Sequence, residues 1–425
     1  MSAGLILVLS VAVAYLAAHV AFDWLAKRLL LVSGAEYLIL GILLGPSVSG
    51  VLSAELLQGF APLTTLALGW IGAIVGTQFY LPGLVRISGR MYRLAFGEAL
   101  GTLAIVTGVM LLLFWSVFEL TWQAALVPSI ALGAIAAVSA PTGIEVVARR
   151  LMQRGTVVRQ LQVATAIDAL VGIATLGLLL SLYHPGDLAP GYRVTSTEWV
   201  VITLGIGLTG GALFHLFLGN DATVDRLFIS LGGAIILISG AAAYLHLSPL
   251  LAALVFGATL TNTSRHRELI ARTLSNAERP FYFVLLIFAG ASWSPSLRAW
   301  VIPVALFLVA RILGKIWSAR IGAWVSGQTS VLGKDWGLAL LGQGGLALAL
   351  ALDYIALEGA ELQNIVFTAA IASVLFTDIL SARIVQSVLA PLLGGRPLTT
   401  QETAAVAAPE RTAGSPVASS GAEEK

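Results

Sequence analysis

Stretches of about twenty apolar residues follow one another along nearly the whole chain, separated only by short polar links. A helix of roughly that length crosses the hydrocarbon core of a bilayer. Composition agrees: 58% of the residues are hydrophobic and 11% are charged, where a soluble domain is about half apolar and about a quarter charged. So few charges cannot cover a water-facing surface, so most of the surface must meet lipid or other helices. The runs place spans near 3–22, 35–52, 62–81, 92–118, 123–150, 157–183, 197–218, 224–245, 247–263, 277–293, 299–325, 334–354 and 362–390. The fold class expected is an all-α membrane protein of about thirteen transmembrane helices.

Basic residues orient the spans, because Lys and Arg collect in cytoplasmic loops. With the N-terminus outside, Arg193 and Arg298 alone fall outside, and Arg311 and Lys315 lie within a span. The remaining twenty of 24 sit on the inner side. Adding or losing one helix midway would scramble this sorting. The first span, Ser2 to Phe22, has no basic residues before it and Asp23, Lys27 and Arg28 after it, the reverse of a signal peptide. It reads as a retained helix. From Gly394 onward Ala, Thr, Ser, Pro and Glu dominate, so residues 1–393 form the membrane unit and 394–425 a disordered cytoplasmic tail. The expected location is the cell's inner (plasma) membrane.

Several functions are excluded early. There are no cysteines, and the five histidines are scattered without metal-site spacing. The net charge of +2 is better explained by orientation than by nucleic acid. GQGG at 342–345 lies inside a span and is no dinucleotide loop. No nucleophile–base pairing or aspartate dyad supports an intramembrane enzyme. No cofactor is expected.

Two spans are broken near their middles. Span five carries Ser139-Ala140-Pro141-Thr142-Gly143, with Pro141 and Gly143 as the breaks. Span twelve carries Gly342-Gln343-Gly344-Gly345. Proline removes a backbone donor, and unwound backbone at that depth survives only where protein or a water-filled cavity satisfies it. Paired breaks point to the midplane site of a transporter; small-residue helix packing is the plainer alternative. Spans five and twelve are seven apart, and an odd offset inverts orientation. The arrangement expected is two inverted six-helix repeats, spans 1–6 and 8–13, whose interrupted helices cross at mid-membrane.

Asp168 of span six lies near the midplane. A carboxylate there costs several kcal/mol unless partnered, protonated or loaded with a cation. Asp378 stands in its repeat partner, span thirteen; Glu98 is in span four, and Arg311 and Lys315 in span eleven. These four read as a structural charge network. Glu98 is close enough to the inner interface to be solvated, and Lys315 to snorkel inward. Arg311 is deeper and needs Glu98, Asp378 or a freed carbonyl as partner. Proton and monovalent cation compete for Asp168, which is the only metal-binding residue expected, and for alkali cations alone. Ser139, Thr142, Thr165 and the Gln343 amide are candidates to complete an oxygen shell.

With these residues the chain resembles the monovalent cation:proton antiporter superfamily, in its bacterial branch of sodium/proton antiporters and potassium efflux systems. LILGILLGPS (38–47), GAIAAVSAPTG (133–143), ATAIDALVGI (164–173), LSPLLAALVFGATLTNTSRHRE (247–268), ERPFYFVLLIFAGASW (278–293), LVARILGK (308–315) and LLGQGGLALAL (340–350) carry the resemblance. It implies a homodimer with a mobile core, alternating access of an elevator kind, Asp168 as the ion-binding aspartate, Ser139–Thr142 as the unwound stretch and Arg311 as the basic residue of span eleven. It implies Na⁺ or K⁺ and H⁺ as the partners, and a lone Asp168 implies electroneutral exchange. Two departures stand out: Ile167 precedes the aspartate where members carry a polar residue, and Leu346 follows QGG. A gated potassium efflux system and a transport-impaired family member are the alternatives.

Overall fold

The computed structural model describes residues 34–141, 144, 156–184, 194–218, 224–294, 301–327, 335–356 and 362–392. The predicted first span, the tail, Thr142 and Gly143 lie outside the described residues. Those described form fifteen α-helices and one 3₁₀ turn, with no strand among them. The described parts of the predicted spans after the first fall on these helices, and residues 142, 143 and 145–150 of span five lie outside the described residues. Five helices are long and apolar enough to cross a bilayer, and shorter apolar helices accompany them, so the protein is a multi-pass integral membrane protein.

In chain order, α1 (Ala35–Leu44), the short α2 (Ala54–Gly59), α3 (Ala61–Thr77) and the short α4 (Leu81–Leu84) come first. Next are α5 (Gly89–Ser116), α6 (Trp122–Ala137) and α7 (Thr156–Leu182), then α8 (Ser196–Leu218), α9 (Val224–Tyr244) and α10 (Pro249–Thr263). The last are α11 (Arg267–Asn276), α12 (Glu278–Ala291), α13 (Val301–Ser326), the 3₁₀ turn Trp336–Leu340, α14 (Gly344–Ile355) and α15 (Gln363–Leu392). Polar caps start several of them: Ser88, Thr121 and Ser248 accept the N–H of Met91, Ala124 and Leu251, which satisfies orphan donors of the first turn. α11 is a polar helix absent from the expected spans, and its buried Leu274 carbonyl accepts the Trp70 indole N–H at 3.0 Å. Large apolar side chains such as Phe217, Leu237 and Trp324 are exposed on the outer faces, as lipid contact requires.

The inverted repeat is visible in how backbones meet. α1 packs along α12, and α3 along α10. A Cβ on Gly41 would stand 2.1 Å from the Ile287 carbonyl oxygen, and one on Gly290 would stand 2.1 Å from that of Leu38. In the second pair, Gly257 meets Ala73 and Gly76 meets Leu254 in the same way, each at 2.2 Å. The pairings are one contact written twice with the partners exchanged, and only hydrogen in place of a side chain permits it. The α5–α13 contact is its own symmetry partner, with the Thr102 and Ser318 hydroxyls 2.7 Å apart across it.

Candidate functional site

Two helices stop in mid-molecule. α6 ends where Val138 turns extended, and the 3₁₀ turn gives way at residues 341–343 to α14, whose first residue, Gly344, has φ 59. Only glycine takes that conformation without steric cost. The strands of backbone cross here: the Ala140 N–H donates to the Gly342 carbonyl at 2.7 Å. Both predicted breaks therefore exist, each beginning one residue earlier than the sequence suggested.

A helix end leaves carbonyls without partners, and buried ones must be satisfied. At the end of α6, the Ile135 carbonyl accepts from Gln343 Nε2 at 2.8 Å, Ala137 from Lys315 Nζ at 2.7 Å, and Val138 from an Arg311 amine at 3.3 Å. Two of the three donors are cations, which suits the negative end of a helix dipole. The start of α14 has the opposite polarity. There Asp378 Oδ1 accepts the N–H of Gln343 and Gly344 at 3.2 and 3.3 Å, and the Tyr282 hydroxyl accepts that of Gly345 at 2.5 Å.

Asp168 is fully buried on α7 beside this crossing. The Ser139 hydroxyl lies 2.6 Å from Asp168 Oδ2 and 2.8 Å from the Leu340 carbonyl. Lys315 Nζ is 2.9 Å from Asp168 Oδ2 and also 2.9 Å from Glu98 Oε1. Two buried carboxylates thus share one ammonium. Neither Glu98 nor Lys315 is exposed, so Glu98 is not solvated and Lys315 does not snorkel. The reason is the α6 terminus: its free carbonyl and the two carboxylates satisfy all three ammonium protons at depth. Asp168 is therefore not a lone carboxylate. Arg311 interacts electrostatically with Asp378, Glu98 and Asp168, and one of its predicted partners, a freed carbonyl, is the one it bonds.

A cavity of about 110 Å³ reaches the site between α3, α7 and α12. Exposed Gln78, Pro141 and Glu278 stand at its mouth, and Ser139, Thr165 and Tyr282 line its inner part. The Thr165 hydroxyl donates to the Gln162 carbonyl at 2.9 Å. The Gln343 amide is committed elsewhere: besides its bond to Ile135, its oxygen accepts from Ser373 at 2.5 Å. It braces the crossing, and Gln343 also lines the cavity. Gly345 lies against the Tyr282 ring. Ile167 is buried in an apolar cluster with Leu94, Leu161 and Trp336, so its side chain packs and does not line the site.

Sequence reasoning missed Asp353 on α14, which is buried and bonded by Ser248 at 2.5 Å. A charge inside the run LALALALDYI was the available signal. It missed Tyr282 and Ser373 because neither carries charge. No group of three or more metal-ligating side chains occurs among the described residues.

No curated protein sequence matches the chain. The sodium proton antiporter MjNhaP1 of Methanocaldococcus jannaschii, in its structure at pH 8, aligns at a TM-score of 0.66 with 16% identity over 92% of this chain and 98% of that one. An electron-microscopy structure of the same antiporter gives 0.64 and 17% over 93% and 99%. These likenesses establish the shared fold. The model of the transmembrane sodium/hydrogen exchanger family matches residues 37–390, and the chain belongs to that family of cation/proton antiporters.

Proposed function

We propose that this protein exchanges Na⁺ or K⁺ for H⁺ at Asp168, one for one and without net charge movement, by alternating access. The observation that carries the reading is a buried Asp168 one hydrogen bond away from Ser139, which lines a cavity open at its other end. Charge supports the stoichiometry. At the helix crossing Glu98, Asp168 and Asp378 are three buried carboxylates, and Lys315 and Arg311 are two buried cations; Asp353, also buried, bonds Ser248 and is not part of this set. An unbalanced charge in a low-dielectric interior is costly. One further positive charge balances the set, and a proton or an alkali ion supplies it equally.

Ser139, Thr165 and, outside the described residues, Thr142 supply hydroxyl oxygens of the hard kind that alkali cations take. Lys315 occupies Asp168 until a cation displaces it. Arg279 adjoins Glu278 at the cavity mouth in sequence, and Arg265 and Arg272 precede it in the same predicted inner loop, so the positive-inside bias supports a cytoplasmic mouth. The structure is then the inward-open state, with the N-terminus outside in the inner membrane. Residues 1–393 are the exchanging unit, 394–425 a cytoplasmic tail, and the assembly a homodimer.

The test uses proteoliposomes loaded with a pH-sensitive dye and given each cation in turn. Saturable, cation-dependent dissipation of a pH gradient is expected, with no current on a solid-supported membrane. A current that scales with substrate would overturn electroneutrality. Cation flux that ignores an opposing proton gradient would favour a gated efflux system.

A further inference from the structure

We infer that Glu98 is a positioning residue for cation binding: it is the second seat of the Lys315 ammonium, which must leave Asp168 when a cation arrives. The inference rests on Asp168 being the exchange site.

The geometry provides the seat. Lys315 Nζ lies 2.9 Å from each carboxylate. A cation on Asp168 Oδ2 repels the ammonium. With Glu98 present, the ammonium keeps one carboxylate and the Ala137 carbonyl. Without the Glu98 charge it keeps only the carbonyl, and a buried unpaired charge opposes the displacement. Glu98 is itself held ready: the Thr102 hydroxyl donates to Oε1 at 3.0 Å and is 2.7 Å from the Ser318 hydroxyl. Both carboxylates also have an oxygen with unused acceptor capacity, since Glu98 Oε2 and Asp168 Oδ1 have no hydrogen-bond donor among the described residues. The charged groups facing Glu98 are Asp168 from α7 and Lys315 and Arg311 from α13; α6 presents none.

A structural role and a positioning role separate in a double-mutant cycle. Cation affinity is read on the full-length protein in detergent, as thermal stabilisation by NaCl or KCl against choline chloride at constant ionic strength. Glu98→Gln is expected to weaken affinity roughly ten- to a hundredfold, the factor one charge-assisted hydrogen bond is worth. In the Lys315→Gln background the same change should alter affinity by less than about threefold, because no ammonium needs a second seat. Glu98→Asp keeps the charge and should recover most of the loss; the uncharged Glu98→Met replaces Glu98→Gln in the cycle should that variant not fold. An equal weakening in both backgrounds overturns the inference, as does unchanged affinity in Glu98→Gln. If Asp168→Asn is stabilised by cations as the wild type is, the exchange-site reading falls and this inference with it.

Discussion

Lys315→Gln removes the centre of the buried charge network, and its consequences can be worked from the distances. The ammonium has three acceptors between 2.7 and 2.9 Å: the Ala137 carbonyl, Glu98 Oε1 and Asp168 Oδ2. Glutamine offers a shorter, uncharged amide that cannot serve all three. Two fully buried carboxylates are left facing each other, and breaking a buried pair in this way costs about 3–5 kcal/mol. Each kcal/mol shifts the Tm of a large chain by about 2 °C, so the fall is on the order of 5–10 °C in salt-free detergent. The second consequence has the opposite sign. An alkali cation no longer has to displace the ammonium from Asp168. NaCl or KCl should therefore raise the variant's Tm by several degrees more than the wild type's, since a ligand at about a hundred times its Kd contributes about 2.7 kcal/mol. The assay is scanning fluorimetry in alkali and choline chlorides of equal ionic strength. A variant with unchanged Tm would refute the argument, as would one that loses stability but gains nothing from alkali ions.

Other positions give sharper local readouts. Ser139→Ala deletes a donor to both Asp168 and the Leu340 carbonyl; a hydrogen bond to a charged group is worth about 1.5–3 kcal/mol, so half-maximal exchange should need about tenfold more cation. Tyr282→Phe removes the acceptor of the Gly345 N–H while keeping the ring against the half-helix; exchange kinetics should change more than Tm, which moves by about 2 °C or less. Gly76→Leu puts a side chain where even a Cβ lies 2.2 Å from the Leu254 carbonyl, so monodisperse folded protein should be lost in size-exclusion chromatography.

Much of the scaffold was legible because the bilayer demands long apolar runs, and the interior glycines and Pro141 announced the breaks. Asp168 was legible from depth alone. Its pairing was not: Lys315 is 147 residues away in sequence, and nothing local says that an α6 terminus needs its ammonium at depth. The same blindness left snorkelling open for Lys315 beside its place in the charge network, and set Asp168 down as a lone carboxylate. Gln343 illustrates the converse. A polar side chain at a break suggests a ligand, yet here the freed Ile135 carbonyl accepts from the amide nitrogen and the Ser373 hydroxyl donates to its oxygen. α11 was missed because a polar surface helix has no hydropathy signal.

The central claim is that Asp168 carries the exchanged ion. It is tested most directly by dissipation of a pH gradient by Na⁺ and by K⁺ in proteoliposomes of wild type and Asp168→Asn, matched for folded protein incorporated. The account predicts saturable exchange in the wild type with at least one of the two cations and none in the variant. Exchange by Asp168→Asn at a rate near that of the wild type would contradict it.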